Sequence, residues 1–175
     1  RALNEIIRQD MLQKEYLCIT AGRPPEGVHE AYLRHFEKNN KVHVQSLAAP
    51  GYKKIITQVQ VLKTCGPYSL CRIGLITGRT HQIRVHMEYI GHPLFNDERY
   101  GGDRILKGTT FSKYRQFVEN CFRLMPRHGL HARSLGFVHP TTGENVHFES
   151  EMPDDMRSVV ERWRNYVAGR ESTGE

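Results

Sequence analysis

No stretch of this sequence stays apolar for the roughly twenty residues a membrane-spanning helix needs, and no basic segment followed by an apolar run opens it, so neither a membrane span nor secretion is expected. Cysteine is scarce and unpaired in pattern. Cys18, Cys65, Cys71 and Cys121 form no CxxC, which argues against a disulfide framework and suits a reducing cytoplasm, with the thiols buried as small hydrophobes. There is no internal repeat and no low-complexity segment. His81 and His86 stand five positions apart, off the four-residue spacing that puts two ligands on one helical face, so no metal is expected. The chain opens at Arg1 straight into a helical pattern, with no cap or leader before it, so the natural protein is expected to begin upstream.

What is present is one domain's worth of chain: 175 residues, enough to bury about two thirds of the unfolded surface. The 25 Lys+Arg against 19 Asp+Glu leave a net charge of +6, and ten histidines could add to it beside a polyanion. Such a balance favours nucleic acid as partner only mildly, since many basic proteins bind none.

Leu3, Ile6, Ile7 and Met11 recur at helical spacing and predict a first helix ending near Gln13. Residues 14–21, KEYLCITA, then alternate as a strand, with Tyr16, Cys18 and Thr20 on one face and Leu17, Ile19 and Ala21 on the other. Strands at 28–36 and 42–45 are expected to form a hairpin about Asn39 and Asn40, and strands at 55–63 and 69–76 to pair across Gly66 and Pro67. Thr80 is the natural N-cap for a helix over 81–90 with Ile83, Met87 and Ile90 inward and Gly91 at its stop. A helix over 113–125 buries Phe117, Cys121 and Leu124, strands follow at 130–139 and 145–149, and a last helix starts near Pro153. The class is α+β, a mixed, largely antiparallel sheet with flanking helices over residues 1–168, with 169–175 as a frayed tail.

The run TGRTHQIRVH, residues 77–86, is the most demanding feature. Arginine in a first helical turn sits where the exposed N–H groups are already partly positive, so something negative belongs there. Ile83, Val85 and Met87 leave little polar surface to solvate Arg84, and a buried guanidinium needs a carboxylate or phosphate. The simpler alternative is a surface ion pair with Glu88, worth a few tenths of a kcal/mol.

Together with IGHPLFNDERYGG (90–102) and LHARSLGFVHPTTGE (130–144), this run resembles the RluA family of pseudouridine synthases, especially its RluD-like members acting on large-subunit ribosomal RNA. The blocks keep the family's order, the resemblance extends from residue 2 to about 156, and the segment 107–127 resembles an insertion found in some RluD-like proteins. The resemblance implies part of the pseudouridine synthase catalytic fold and isomerisation of uridine in RNA, without cofactor or metal. Ribosomal RNA is favoured over transfer RNA as partner, with no membrane and no small-molecule cofactor. It implies that Tyr16 is the tyrosine lying against the target base, that Arg84 pairs with the catalytic aspartate, and that Arg79, His81 and Gln82 support that site or the RNA backbone. Leu130 would pack on the flipped uracil, and Lys14, Lys53, Lys54 and Arg99 are candidate backbone contacts.

The departure is the nucleophile. The family's aspartate lies in an HRLD motif upstream of the first helix, no such motif occurs here, and Asp97 and Asp103 belong to the NDERYGGD loop instead. The chain thus resembles the C-terminal part of a synthase, without its catalytic acid or an S4 domain, and is expected to be inactive alone. Two alternatives stand beside the enzyme reading: a noncatalytic RNA-binding module, and an RNA-free scaffold for a protein partner.

Overall fold

The alternation in β1 (Gln13–Ala21) organises the molecule. Leu17, Ile19 and Ala21 are buried in one apolar cluster while Cys18 and Tyr16 belong to another on the opposite face of the strand, as the period of two requires. The structure, a computed structural model, describes residues 1–105 and 112–173, so the start of the 107–127 segment and the last two residues lie outside it. The other strands and α-helices are α1 (Ala2–Arg8), β2 (Gly27–Phe36), β3 (Lys41–Gln45), β4 (Lys53–Cys65), β5 (Tyr68–Leu75), α2 (Gln82–Tyr89), α3 (Ser112–Leu124), β6 (Leu130–Val138), β7 (Asn145–Glu149) and α4 (Asp154–Thr173), with a 3-10 turn at Glu37–Asn39 between β2 and β3.

The strands form one sheet in the order β3-β2-β4-β5-β1-β6-β7, with every pairing antiparallel. The class is therefore α+β as expected, and the sheet is antiparallel throughout rather than mixed. Helices α3 and α4 cover the Leu17 face, with Trp163, Val159, Val118 and Cys121 buried there. On the opposite face α2 sets Ile83 and Met87 against Cys18, Val59 and Ile73. All four cysteines are buried and free. Among the described residues no helix is long and apolar enough to cross a membrane.

Three boundaries and the inward face of one helix differ from expectation, each for a local reason. Helix α1 stops at Arg8 because Asp10 takes the left-handed conformation (φ 53°) and Gln13 is claimed by pairing with Gly136 of β6. Strand β4 is longer than expected, with an irregularity between Val61 and Lys63 that leaves Leu62 exposed. In α3 the innermost side chains are Tyr114, Val118 and Cys121, while Phe117 is half-buried and stacks on Tyr166 with ring centroids 4.3 Å apart. The expected tail from residue 169 instead continues α4 through Thr173, where the Ser172 hydroxyl donates to the Gly169 carbonyl.

His86 lies under this second face, 1 % exposed, with Nδ1 2.8 Å from the Thr57 hydroxyl and Nε2 without a partner among the described residues. Burial, aided by nearby His29, pushes its pKa down to about 4. An unfolded histidine titrates near its ordinary value, so between those limits the unfolded chain binds more protons and stability falls as pH falls. Urea unfolding should therefore show a loss of roughly 3 kcal/mol between about pH 6.5 and pH 4 in wild type that is missing from His86→Asn. Parallel pH profiles for the two proteins would contradict this assignment.

Candidate active site

The turn between β5 and α2 is built around the Gln82 amide. Gln82 Oε1 accepts from the Thr77 hydroxyl at 2.9 Å and the Arg79 N–H at 3.1 Å, while Nε2 donates to the Ile56 carbonyl and the Thr57 hydroxyl, both at 3.1 Å. With that amide at its hydrogen-bonding capacity and 2 % exposed, Gln82 holds the turn rather than reaching for substrate. Thr80 does not cap the helix. His81 occupies that position in the left-handed conformation (φ 53°), with Nδ1 2.9 Å from the Tyr100 hydroxyl. Arg79 meets Asp10, whose carboxylate accepts from Arg79 Nη2 at 3.3 Å and from the Gly78 N–H at 3.2 Å.

Arg84 finds its carboxylate within the chain. Asp97, which matches no nucleophile in sequence, accepts from Arg84 Nε and Nη2 at 2.8 Å each; the expected alternative, Glu88, is not its partner. The aspartate is 0 % exposed and the arginine side chain 16 %, and hydrogen bonding to Asp97 pushes the Arg84 pKa further up. The guanidinium lies 5.0 Å over the Tyr100 ring. Among the described residues Nη1 has no hydrogen-bond partner, so one edge of the fork is left over.

Asp97 is placed by a tight loop. The Asn96 N–H donates to the Gly102 carbonyl at 2.8 Å, the Gly102 N–H to the Asp97 carbonyl at 2.7 Å, and the Asn96 side chain to the Met125 carbonyl at 2.8 Å. A Cβ on Gly102 would stand 1.7 Å from the Leu94 carbonyl oxygen, so only glycine closes this loop. The loop is in turn stitched to β1 through Phe95 N–H to Ile19 carbonyl, 2.8 Å, and to the approach of β6 through Gly129 N–H to Phe95 carbonyl, 2.8 Å.

These stitches bring the expected residues together. Tyr16, Arg79, His81, Gln82, Arg84 and Leu130 all line one cleft of about 380 Å³, joined there by Leu75, Ile83 and His128. Tyr16 is half-buried and burial raises its pKa, so its phenol stays protonated at neutral pH. Burial, then the charge of Arg84, lowers the pKa of both His81 and His128, which keeps the rings neutral beside the guanidinium. Among the described residues the cleft wall holds no carboxylate, and no cluster of three or more metal-ligating side chains occurs. Of the candidate backbone cations, Lys54 is paired with Glu30 at 2.8 Å, and Arg99 sits 5.8 Å from the Tyr100 ring centre.

Sequence reasoning missed Asp97, Asp10, Tyr100 and His128. For Asp97 the signal existed, since a buried arginine needs a carboxylate and the adjoining motif offered one; Asp10 lies 69 residues from Arg79 and gave none. Removing the buried partner strands the arginine, so Asp97→Ala should lower stability by roughly 3–5 kcal/mol in chemical denaturation. A loss below about 1 kcal/mol would show that the pair does not hold the loop.

Residues 1–89 match the family profile described as RNA pseudouridylate synthase. The chain is 38 % identical over 178 residues to an uncharacterised RNA pseudouridine synthase of Chlorobaculum parvum, covering 98 % of this chain and 54 % of that protein. It is 38 % identical over 156 residues to the ribosomal large subunit pseudouridine synthase D of Vibrio parahaemolyticus, covering 87 % of this chain and 45 % of that protein. It thus spans about half the length of these relatives. In fold it is similar to the solved structure of human RNA pseudouridylate synthase domain containing 4, with a TM-score of 0.66 at 21 % identity over 93 % of this chain and 66 % of that one.

Proposed function

Because the chain belongs to the RNA pseudouridylate synthase family, we propose that in a protein of full natural length it takes part in isomerising uridine to pseudouridine in RNA. The observation that carries this reading is the cleft itself: an aromatic and an aliphatic wall, Tyr16 and Leu130, beside one unspent edge of the fixed Arg84 guanidinium. A uracil fits between apolar walls, and the free edge suits a carboxylate brought against the ribose. That carboxylate comes from a segment beyond these 175 residues.

The reaction is internally balanced. The N1 to C1′ bond breaks, C1′ joins C5 of the same ring, C5 gives up its proton and N1 gains one. The Arg84 edge keeps the incoming carboxylate ionised and placed. Tyr16, a neutral phenol against the base, assists departure of the C5 proton by hydrogen-bonding the water that takes it, while N1 takes its proton from solvent. Turning the nucleotide out of its stack costs a few kcal/mol, which contacts between phosphates and a chain of charge +6 offset. Large-subunit ribosomal RNA is the proposed substrate, on the strength of the Vibrio relative's name, and the cytoplasm the proposed setting. No cofactor has a part in the scheme.

A second reading, a noncatalytic RNA-binding module, is favoured by the lack of a carboxylate among the described cleft residues. Release of tritium from RNA labelled at uridine C5 separates the two. The protein of full natural length should release label and the 175-residue chain alone should not. Release by the chain alone would overturn the external carboxylate, and no release by either would leave the binding module. In the active protein, Tyr16→Phe should cut turnover about a hundredfold while RNA affinity changes less than about threefold; matched losses in both would make Tyr16 a binding group only.

A further inference from the structure

A second cleft, of about 530 Å³, shares Arg84 and His128 with the first. Its polar groups divide into those already committed and those still open. Arg127 gives Nε and Nη2 to Asp155 at 2.9 Å each, and Nη1 to the carbonyls of Leu130 at 3.0 Å and His128 at 3.4 Å. Asn96 Nδ2 is committed to the Met125 and Phe122 carbonyls, and two nitrogens of Arg84 to Asp97.

Besides Arg84 Nη1 and Asn96 Oδ1, three groups among the described lining residues remain open. The half-buried His128 ring has no hydrogen-bond partner among the described residues, Glu98 presents an exposed carboxylate, and Arg99 donates only through Nη2, to the Asn40 carbonyl. Pro126 adds a flat apolar face. A bare anion is a poor match, because Arg127 is neutralised by Asp155 and the Glu98 carboxylate repels it. A nucleotide matches all four: a phosphate for Arg99, an N–H edge for Glu98, mixed donor and acceptor groups for the neutral imidazole, and a base face for Pro126.

Clefts that share a wall can be occupied by consecutive residues of one strand. Resting on the RNA-modifying reading above, we infer that the second cleft is the subsite for the nucleotide adjoining the target uridine, with Arg99 on its phosphate and His128 on its base or ribose. Arg127 is then a positioning residue. Anchored on α4 through Asp155, it fixes the backbone of His128 and Leu130, one residue for each nucleotide.

The test uses the protein of full natural length and large-subunit ribosomal RNA transcribed in vitro with tritium at uridine C5. Arg99→Ala and His128→Ala should each raise KM about tenfold, with the loss falling on KM far more than on kcat. Only Arg99→Ala should flatten the dependence of log KM on log salt, by about 0.7, the share of one phosphate contact on a single strand. His128→Gln, which keeps a donor and an acceptor, should stay within about threefold of wild type. An unchanged KM in both alanine variants overturns the subsite. So does a fall in kcat alone for His128→Ala, which would place the ring at the target base. Wild-type protein that releases no label fails the functional reading and takes the subsite with it, whereas an active wild type with indifferent variants sinks the subsite by itself.

Discussion

The ion pair between Arg84 and Asp97 is the interaction on which the site depends. An aspartate with no exposed surface is tolerable only when its charge is met, and here both oxygens are met by one planar fork at 2.8 Å. The pair ties α2 to the loop over residues 92–102. That loop is bonded to Ile19 of β1 and to Gly129 just before β6, so a single electrostatic requirement aligns three distant segments. Tyr16, Arg84 and Leu130 share a cleft because those segments do.

The same pair shapes the chemistry. Holding Nε and Nη2 on Asp97 leaves Nη1 directed elsewhere, so the guanidinium is both immobilised and still able to take another acceptor. His81 and His128 stay uncharged beside it, which confines the positive charge on the cleft wall to Arg84 and to Arg79, itself paired with Asp10. A fixed charge of this kind needs no reorganisation when a negative group arrives.

Much of this was legible in the sequence, and the limits are instructive. The period of two in KEYLCITA assigned both faces of β1, and the need of Arg84 for a carboxylate followed from its apolar neighbours. The run TGRTHQIRVH placed Arg79, His81, Gln82 and Arg84 in one cleft, though not in one role: Gln82 proved to be the internal brace of the turn, a distinction that depends on partners at Ile56 and Thr57, more than twenty residues away. Capping rules favoured Thr80, and a left-handed His81 displaced it because the Gln82 side chain was available to take the Arg79 N–H. The Asp10 to Arg79 contact and the Arg127 clamp are tertiary, with no local period to betray them.

Helix α1 shows where the described chain leaves something unmet. Leu3 and Ile7 on the helix and Met11 just beyond it are 49, 53 and 55 % exposed, an apolar face with nothing packed on it among the described residues. The central claim, that the Arg84 edge is reserved for a carboxylate from elsewhere, is tested most directly by a crystal structure of the protein at full natural length. The account predicts a carboxylate oxygen within hydrogen-bonding distance of Arg84 Nη1 while Asp97 keeps Nε and Nη2. An Nη1 facing only solvent, or Asp97 displaced from Arg84 altogether, would contradict it.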